Sequence, residues 1–227
     1  KLSRAMSIAG DEYLFVKSNT NNTPKITIVS PPTMHMFRLD KTIKSGVYPD
    51  TKGYFTDLAN VYREEINALS EAGATYIQLD DVPLPMISDP VVQERIKEAG
   101  LEPDQLLCDY IELFNDCIGV QRENITIAVH MCRGNYKGKF LSEGGYEPFA
   151  EQIFNKLNVD AYFLEYDSPR AGDFEPLRFV PKDKVVVLGL VSSKTPELEE
   201  QDDLRYRIDE AAKFIELDQL ALSPQCG

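Results

Sequence analysis

The feature that most narrows what this chain can fold into is the spacing of its short β-branched runs. Six recur: Ile26–Ser30, Tyr76–Asp81, Ile125–Cys132, Ala161–Glu165, Lys184–Val191 and Leu220–Ser223. Each is four to eight residues long, the length of a strand rather than of a helix. Helical patterns lie between them. Phe55, Leu58, Tyr62, Ile66 and Leu69 fall at three- and four-residue intervals and stop at Gly73; Leu204, Ile208, Ala211 and Ile215 trace a second such face. Strand alternating with helix at intervals of about 25 to 50 residues predicts βαβ units, hence an α/β fold with a parallel sheet that is either open or closed into a barrel.

The chain has 227 residues, 43% of them hydrophobic, enough for one large domain or two small ones. Asn21-Asn22-Thr23-Pro24 reads as a loop, not a linker. Lys and Arg number 24 against 37 Asp and Glu, a net charge of −13. A chain this acidic lacks the cationic field that phosphates or anionic lipids require, so nucleic acid and membrane surfaces are poor partners. No apolar run approaches the roughly 18 residues of a spanning helix, and Lys1–Met6 does not read as a signal peptide, so the expectation is a soluble, cytoplasmic protein. Four cysteines are too few for a disulfide scaffold, and reduced thiols are expected. Cys108 and Cys117, nine residues apart in a helical stretch, read as packing residues, and Glu197–Asp203 reads as the solvated start of a helix. Gly134, Gly138, Gly144 and Gly145 lack the spacing of a nucleotide-binding loop.

Period-two parity sorts the polar residues of the strands. Thr126, Ala128, His130 and Cys132 share one face of their strand, so an imidazole and a thiol sit two residues apart at its C-terminal end. Barrel and doubly wound enzymes place their chemistry at that end. Gln78 and Asp80 share a face of an earlier strand, and Glu165 ends a later one. Cys226 follows the last strand, on the same rim. His130, Cys132, Glu165 and Cys226 offer one nitrogen, two sulfurs and an oxygen, a set suited to zinc rather than to calcium or magnesium. Blander readings stand beside these: Asp80 caps a loop, Glu165 pairs with Arg133 or Arg170, and His35 is open between packing and chemistry.

His130-Met131-Cys132, Phe163-Leu164-Glu165, the run Leu188–Glu199 and Ser223–Gly227 occur in an order that resembles the cobalamin-independent methionine synthase superfamily, in particular its short single-barrel members. The resemblance runs from about Pro24 to Gly227. It implies a TIM (β/α)8 barrel whose zinc is held at the positions of His130, Cys132, Glu165 and Cys226, the four that parity selects. It also implies that the six strands are the third to the eighth, so that residues 1–227 form a single barrel-type catalytic domain without its first two strands and last helix. The implied activity is zinc-dependent transfer of a methyl group to a thiol, with homocysteine becoming methionine; the partners are then a small-molecule thiol and a methyl donor. Asp80, with Gln78 beside it, resembles the residue that holds the substrate ammonium. Two departures bear on the donor. Val191 stands where methionine synthases carry a His that protonates the folate leaving group, and the chain has no Trp to stack on a pterin, leaving Phe37 as the nearest aromatic. The competing readings are an alkyltransferase using another thiol or a corrinoid donor, and a non-catalytic barrel with a structural zinc. Oligomeric state is not legible.

Overall fold

The computed structural model describes residues 1–39, 46–119 and 124–226; Gly227, the last residue of the closing motif, lies outside them. Six strands, β1 (Ile26–Val29), β2 (Tyr76–Asp81), β3 (Thr126–Met131), β4 (Ala161–Glu165), β5 (Val185–Val191) and β6 (Leu220–Pro224), follow one another in a sheet in sequence order. The pairs β1–β2, β4–β5 and β5–β6 are parallel, as the βαβ reading requires. The longer helices are α1 (Gly10–Ser18), α2 (Thr51–Glu71), α3 (Pro90–Glu98), α4 (Pro103–Ile118), α5 (Ala150–Lys156) and α6 (Gln201–Ala211). The chain divides into two compact units, Lys1–Asp81 with Arg95–Ala128, and Val82–Glu94 with Val129–Gly227.

In the first unit the predicted face of α2 is buried at Leu58, Tyr62, Ile66 and Leu69, with Phe55 half-buried at its edge. Asp50 starts the helix by accepting the Gly53 N–H at 2.8 Å. Gly73, at φ +94°, ends it in a conformation that costs a glycine least. Against α2 packs α4, which buries Leu106, Leu107, Tyr110, Phe114 and Cys117. Cys117 is thus the packing residue its spacing suggests, its thiol pushed far up by burial, while Cys108 is only half-buried. His35 resolves toward packing. Its ring is buried, its Nδ1 lies 2.8 Å from the Tyr110 hydroxyl, and Phe55 meets it edge-on at 5.1 Å. Burial lowers its pKa to about 4, so it stays neutral at physiological pH.

One charge in this unit is fully buried on α2. Glu65 accepts Arg4 Nε at 2.7 Å, Ser7 Oγ at 3.1 Å, and the N–H groups of Ile8 and Ala9, both at 2.9 Å. Burial alone would raise its pKa, but these four donors more than offset that and leave it below the ordinary glutamate value. A depressed folded-state pKa contributes stability above the unfolded value that is lost as pH falls through the folded one. Residues 1–9 are therefore expected to stay docked at neutral pH and to release only on acidification below the ordinary glutamate range. Glu65→Ala should release them at neutral pH, which limited trypsinolysis after Arg4 will read as faster cleavage.

In the second unit β4, β5 and β6 pair in register, Glu165 opposite Gly189 and Gly189 opposite Ser223. Two expectations are corrected here. The face through Leu204 and Ile208 ends at Ala211, because Phe214 N bonds back to Ala211 O in a tight three-residue turn, and Ile215 is buried beyond the helix. Glu197–Asp203 is not one solvated helix start either. Asp202 and Asp203 do occupy the first turn of α6, but Glu199 accepts the Ser192 N–H at 2.7 Å and ties the preceding loop to the end of β5.

Candidate metal centre

Residues Ile127 to Cys132 are buried throughout, as expected of a strand covered on both faces. At its C-terminal end His130 is 7% exposed and Cys132 3%. The sulfur of Cys226, just past β6, lies 3.5 Å from His130 Nε2 and 4.0 Å from Cys132 Sγ. All three donor atoms fall within 4.8 Å of one another. Tetrahedral zinc with Zn–S near 2.3 Å and Zn–N near 2.05 Å would place donors about 3.6 Å apart for S···N and about 3.8 Å apart for S···S. The two distances from Cys226 are close to those values, and the three side chains are placed to converge on one such ion.

Cys226 is brought there by a close backbone approach. Gln225 N donates to Val191 O at 2.7 Å, and the Gln225 carboxamide accepts Ser193 Oγ at 3.0 Å. A Cβ on Gly189 would lie 2.9 Å from Gln225 Cα and 2.8 Å from Leu164 O, so only glycine lets the last strand close on β5. Gly189→Ala is expected to cost about 1–3 kcal/mol through overpacking and to displace Cys226. Thermal unfolding and metal content should fall together; a stable variant with full metal content would contradict this role for Gly189.

Between the two sulfurs the thiols ionise in order. Cys226 is lowered because the Cys132 thiol and the His130 ring both face its sulfur and Lys194 adds positive charge nearby. Cys132 is raised by its bond to Cys226 and by burial. One thiolate is therefore already favoured beside the His130 ring, and a thiolate is what a soft divalent ion binds.

Glu165 does not join the three donors among the described residues. Its carboxylate is fully buried and turned to cations: Oε1 accepts Arg170 Nη2 at 2.6 Å and Lys194 Nζ at 3.0 Å, and Oε2 accepts the Arg133 N–H at 2.5 Å. Of the two readings open in the sequence, this geometry displays the pairing with Arg170. Asp167 shares the same cations, at 3.3 Å from Arg170 and 3.2 Å from Lys194. Tyr146, fully buried, accepts the Glu165 N–H at 2.9 Å and donates to Met131 O at 2.9 Å, tying the ends of β3 and β4. Burial pushes its pKa up to about 12. The Arg133 guanidinium stacks 4.2 Å over the Tyr146 ring and donates to Gly144 O at 2.7 Å. Lys194, Asp167 and Tyr146 carry no signal as isolated letters. Only Lys194 lies in a quoted motif, and its role needed the fold.

The other expected site residues lie in the first unit. Gln78 Nε2 donates to Asp80 Oδ1 at 2.7 Å, and Lys25 Nζ reaches Gln78 Oε1 at 2.8 Å. The Lys25 pKa is lowered by burial, against the pull of Asp80. Phe37 is 53% exposed after the short turn that follows β1. Among the described residues no helix is long and apolar enough to cross a membrane.

The sequence matches the family described as cobalamin-independent synthase, catalytic domain, over residues 40–227. The chain belongs to that family. It is 42% identical over 219 residues to the Bacillus subtilis protein YxjH, covering 96% of this chain and 57% of YxjH. It is 25% identical over 229 residues to the methionine synthase of Pyrococcus abyssi, covering all of this chain and 57% of that one. Among solved structures it resembles a Listeria monocytogenes protein assigned to the vitamin-B12-independent methionine synthases, with a TM-score of 0.75 and 32% identity over 99% of this chain and 64% of the other. The chain thus spans 57% of the length of each of these two curated relatives.

Proposed function

We propose that this chain carries the metal centre of a zinc-dependent S-methyltransferase that moves a methyl group to a thiol, with homocysteine as the acceptor. The observation that carries this reading is the convergence of one imidazole and two thiols, from His130, Cys132 and Cys226, within 4.8 Å of one another at one strand-end rim. Three protein donors leave a fourth position, the arrangement of a catalytic rather than a structural zinc. Glu165, the fourth expected ligand, stands beside them on the end of the next strand. Bound there, zinc would hold an incoming thiol as thiolate, ready to attack a methyl carbon.

The chain's own residues supply the rest. His130 and the two cysteines would fix where the sulfur sits, with His130 and Cys132 buried and Cys226 half-buried at the rim. Asp80, oriented by Gln78, is the partner proposed for the substrate ammonium, and Phe37 the surface proposed for the donor's ring. Membership of the family supports methyl transfer as the reaction class. Strand order supports a (β/α)8 barrel in which these six are the third to the eighth strands of a single domain, because a doubly wound sheet reverses its order at a switch point and these strands do not.

Incubating the complete zinc-loaded protein with homocysteine and a panel of methyl donors tests the activity. Methionine should form, and formation should stop when zinc is removed. No product with any donor, or equal product without zinc, would refute the reading. Asp80→Asn should weaken homocysteine binding by about 1.5–3 kcal/mol and leave zinc content unchanged, as calorimetric titration and metal analysis will show.

A further inference from the structure

Cys132 and Cys226 come from strands that are not neighbours. β4 and β5 separate β3 from β6 in the sheet, and three strand spacings in a flat sheet are about 14 Å. The rim curls instead, and the two sulfurs lie 4.0 Å apart. A disulfide joins its sulfurs at about 2.05 Å, so about 2 Å of closure separates this pair from a bond. Cys108 and Cys117 stand in contrast. Nine residues apart on α4, they are separated by about 13.5 Å of helix rise, beyond the roughly 7 Å between Cα atoms that a disulfide spans.

The two rim thiols differ in what reaches them and in how they are held. Cys226 is half-buried, whereas Cys132 is 3% exposed. Tyr146 donates to the carbonyl of Met131, the residue before Cys132, at 2.9 Å and fixes that strand end. Cys226 lies past the end of β6, so the closing movement falls on its side.

Building on the zinc-centre reading, we propose that Cys132 and Cys226 are a site of reversible oxidation, at which a hydroperoxide converts the metal-free pair into a disulfide that shuts the centre to zinc until a thiol reductant reopens it. With hydrogen peroxide, the more accessible Cys226 sulfur attacks one oxygen. The O–O bond breaks, that oxygen stays on sulfur as a sulfenic acid, and the thiol proton leaves with the other oxygen as water. The Cys132 sulfur then attacks the Cys226 sulfur. The S–S bond forms, the S–O bond breaks, and the departing hydroxide takes the Cys132 proton as a second water. The two thiols are oxidised and the peroxide reduced by the same two electrons. With both sulfurs spent, His130 alone of the three donors remains. Bound zinc engages the same two sulfurs, so metal and oxidant compete for one pair.

The test uses the complete protein, stripped of metal under reducing conditions and then exposed to an equimolar amount of hydrogen peroxide. Intact mass should fall by two hydrogens, and peptide mapping should place the bond between Cys132 and Cys226. Zinc affinity, read by competition with a chromophoric chelator, should fall at least about 10²-fold and return with dithiothreitol. Zinc at about 100 times its Kd should slow disulfide formation about 100-fold, because only the metal-free fraction reacts. In C132S, dimedone should trap a sulfenic acid on Cys226; C108S should behave as wild type. A metal-free protein in which Cys132 and Cys226 stay unbonded, or one that forms the bond equally fast with zinc bound, overturns the proposal and leaves the metal centre intact. A reduced protein that takes up no zinc, even as the disulfide forms, overturns the zinc-centre reading and the gate with it.

Discussion

Replacing Cys226 by serine should lower zinc affinity by at least about 10²-fold, because groups that merely orient a ligand are worth about 10–100-fold and here a direct thiolate bond is lost. Cys132→Ser should do the same. Cys108→Ser is the control: that thiol sits half-buried on α4, outside the three-donor set. Metal analysis after dialysis against a weak chelator reads all three at once. Equal zinc in the three variants would remove the centre proposed here, and loss from only one of the two rim cysteines would mean that the 4.0 Å sulfur pair is not shared by one ion.

The second large effect concerns the methyl donor. A methyl group leaving a tertiary amine needs that nitrogen protonated, and a positioned general acid is worth about 10²–10⁴ in rate. At the position where the family resemblance implies that acid stands Val191, whose side chain has no proton to give and whose carbonyl accepts Gln225 N at 2.7 Å. Turnover of methyl-folate with homocysteine should therefore be slower by about that factor than turnover of a donor with a better leaving group, such as a methyl-corrinoid. Val191→His should raise the methyl-folate rate and leave the corrinoid rate unchanged. Fast methyl-folate turnover by the wild-type protein would mean that another residue or a bound water provides the proton.

Where the sequence was read well, a period did the work. All six strands form within one or two residues of their β-branched runs, and α2 buries the face that Leu58, Tyr62, Ile66 and Leu69 trace. Parity put His130 and Cys132 on one face, and the structure brings their donor atoms together with that of Cys226. Periodicity failed where a local bond overrode it, as at Ile215 after the tight turn and at Glu199, captured by Ser192 N. Glu165 shows a different limit. Letter and strand position mark a carboxylate at the rim, but whether it faces an ion or a cation depends on Arg170 and Lys194, which are five and 29 residues away in the chain. Glu65 shows it again, since nothing in an acidic helix announces that one carboxylate will gather four donors from residues 4 to 9.

X-ray absorption at the zinc edge, on the complete zinc-loaded protein before and after homocysteine, tests thiol activation at this rim most directly. The expected resting spectrum has two sulfurs at about 2.3 Å and the remaining nitrogen or oxygen donors at about 2.0–2.2 Å. Homocysteine should add a third sulfur at the same distance. A resting shell with fewer than two sulfurs, or a shell that homocysteine leaves unchanged, would contradict a zinc ion held by His130, Cys132 and Cys226 that activates the substrate thiol.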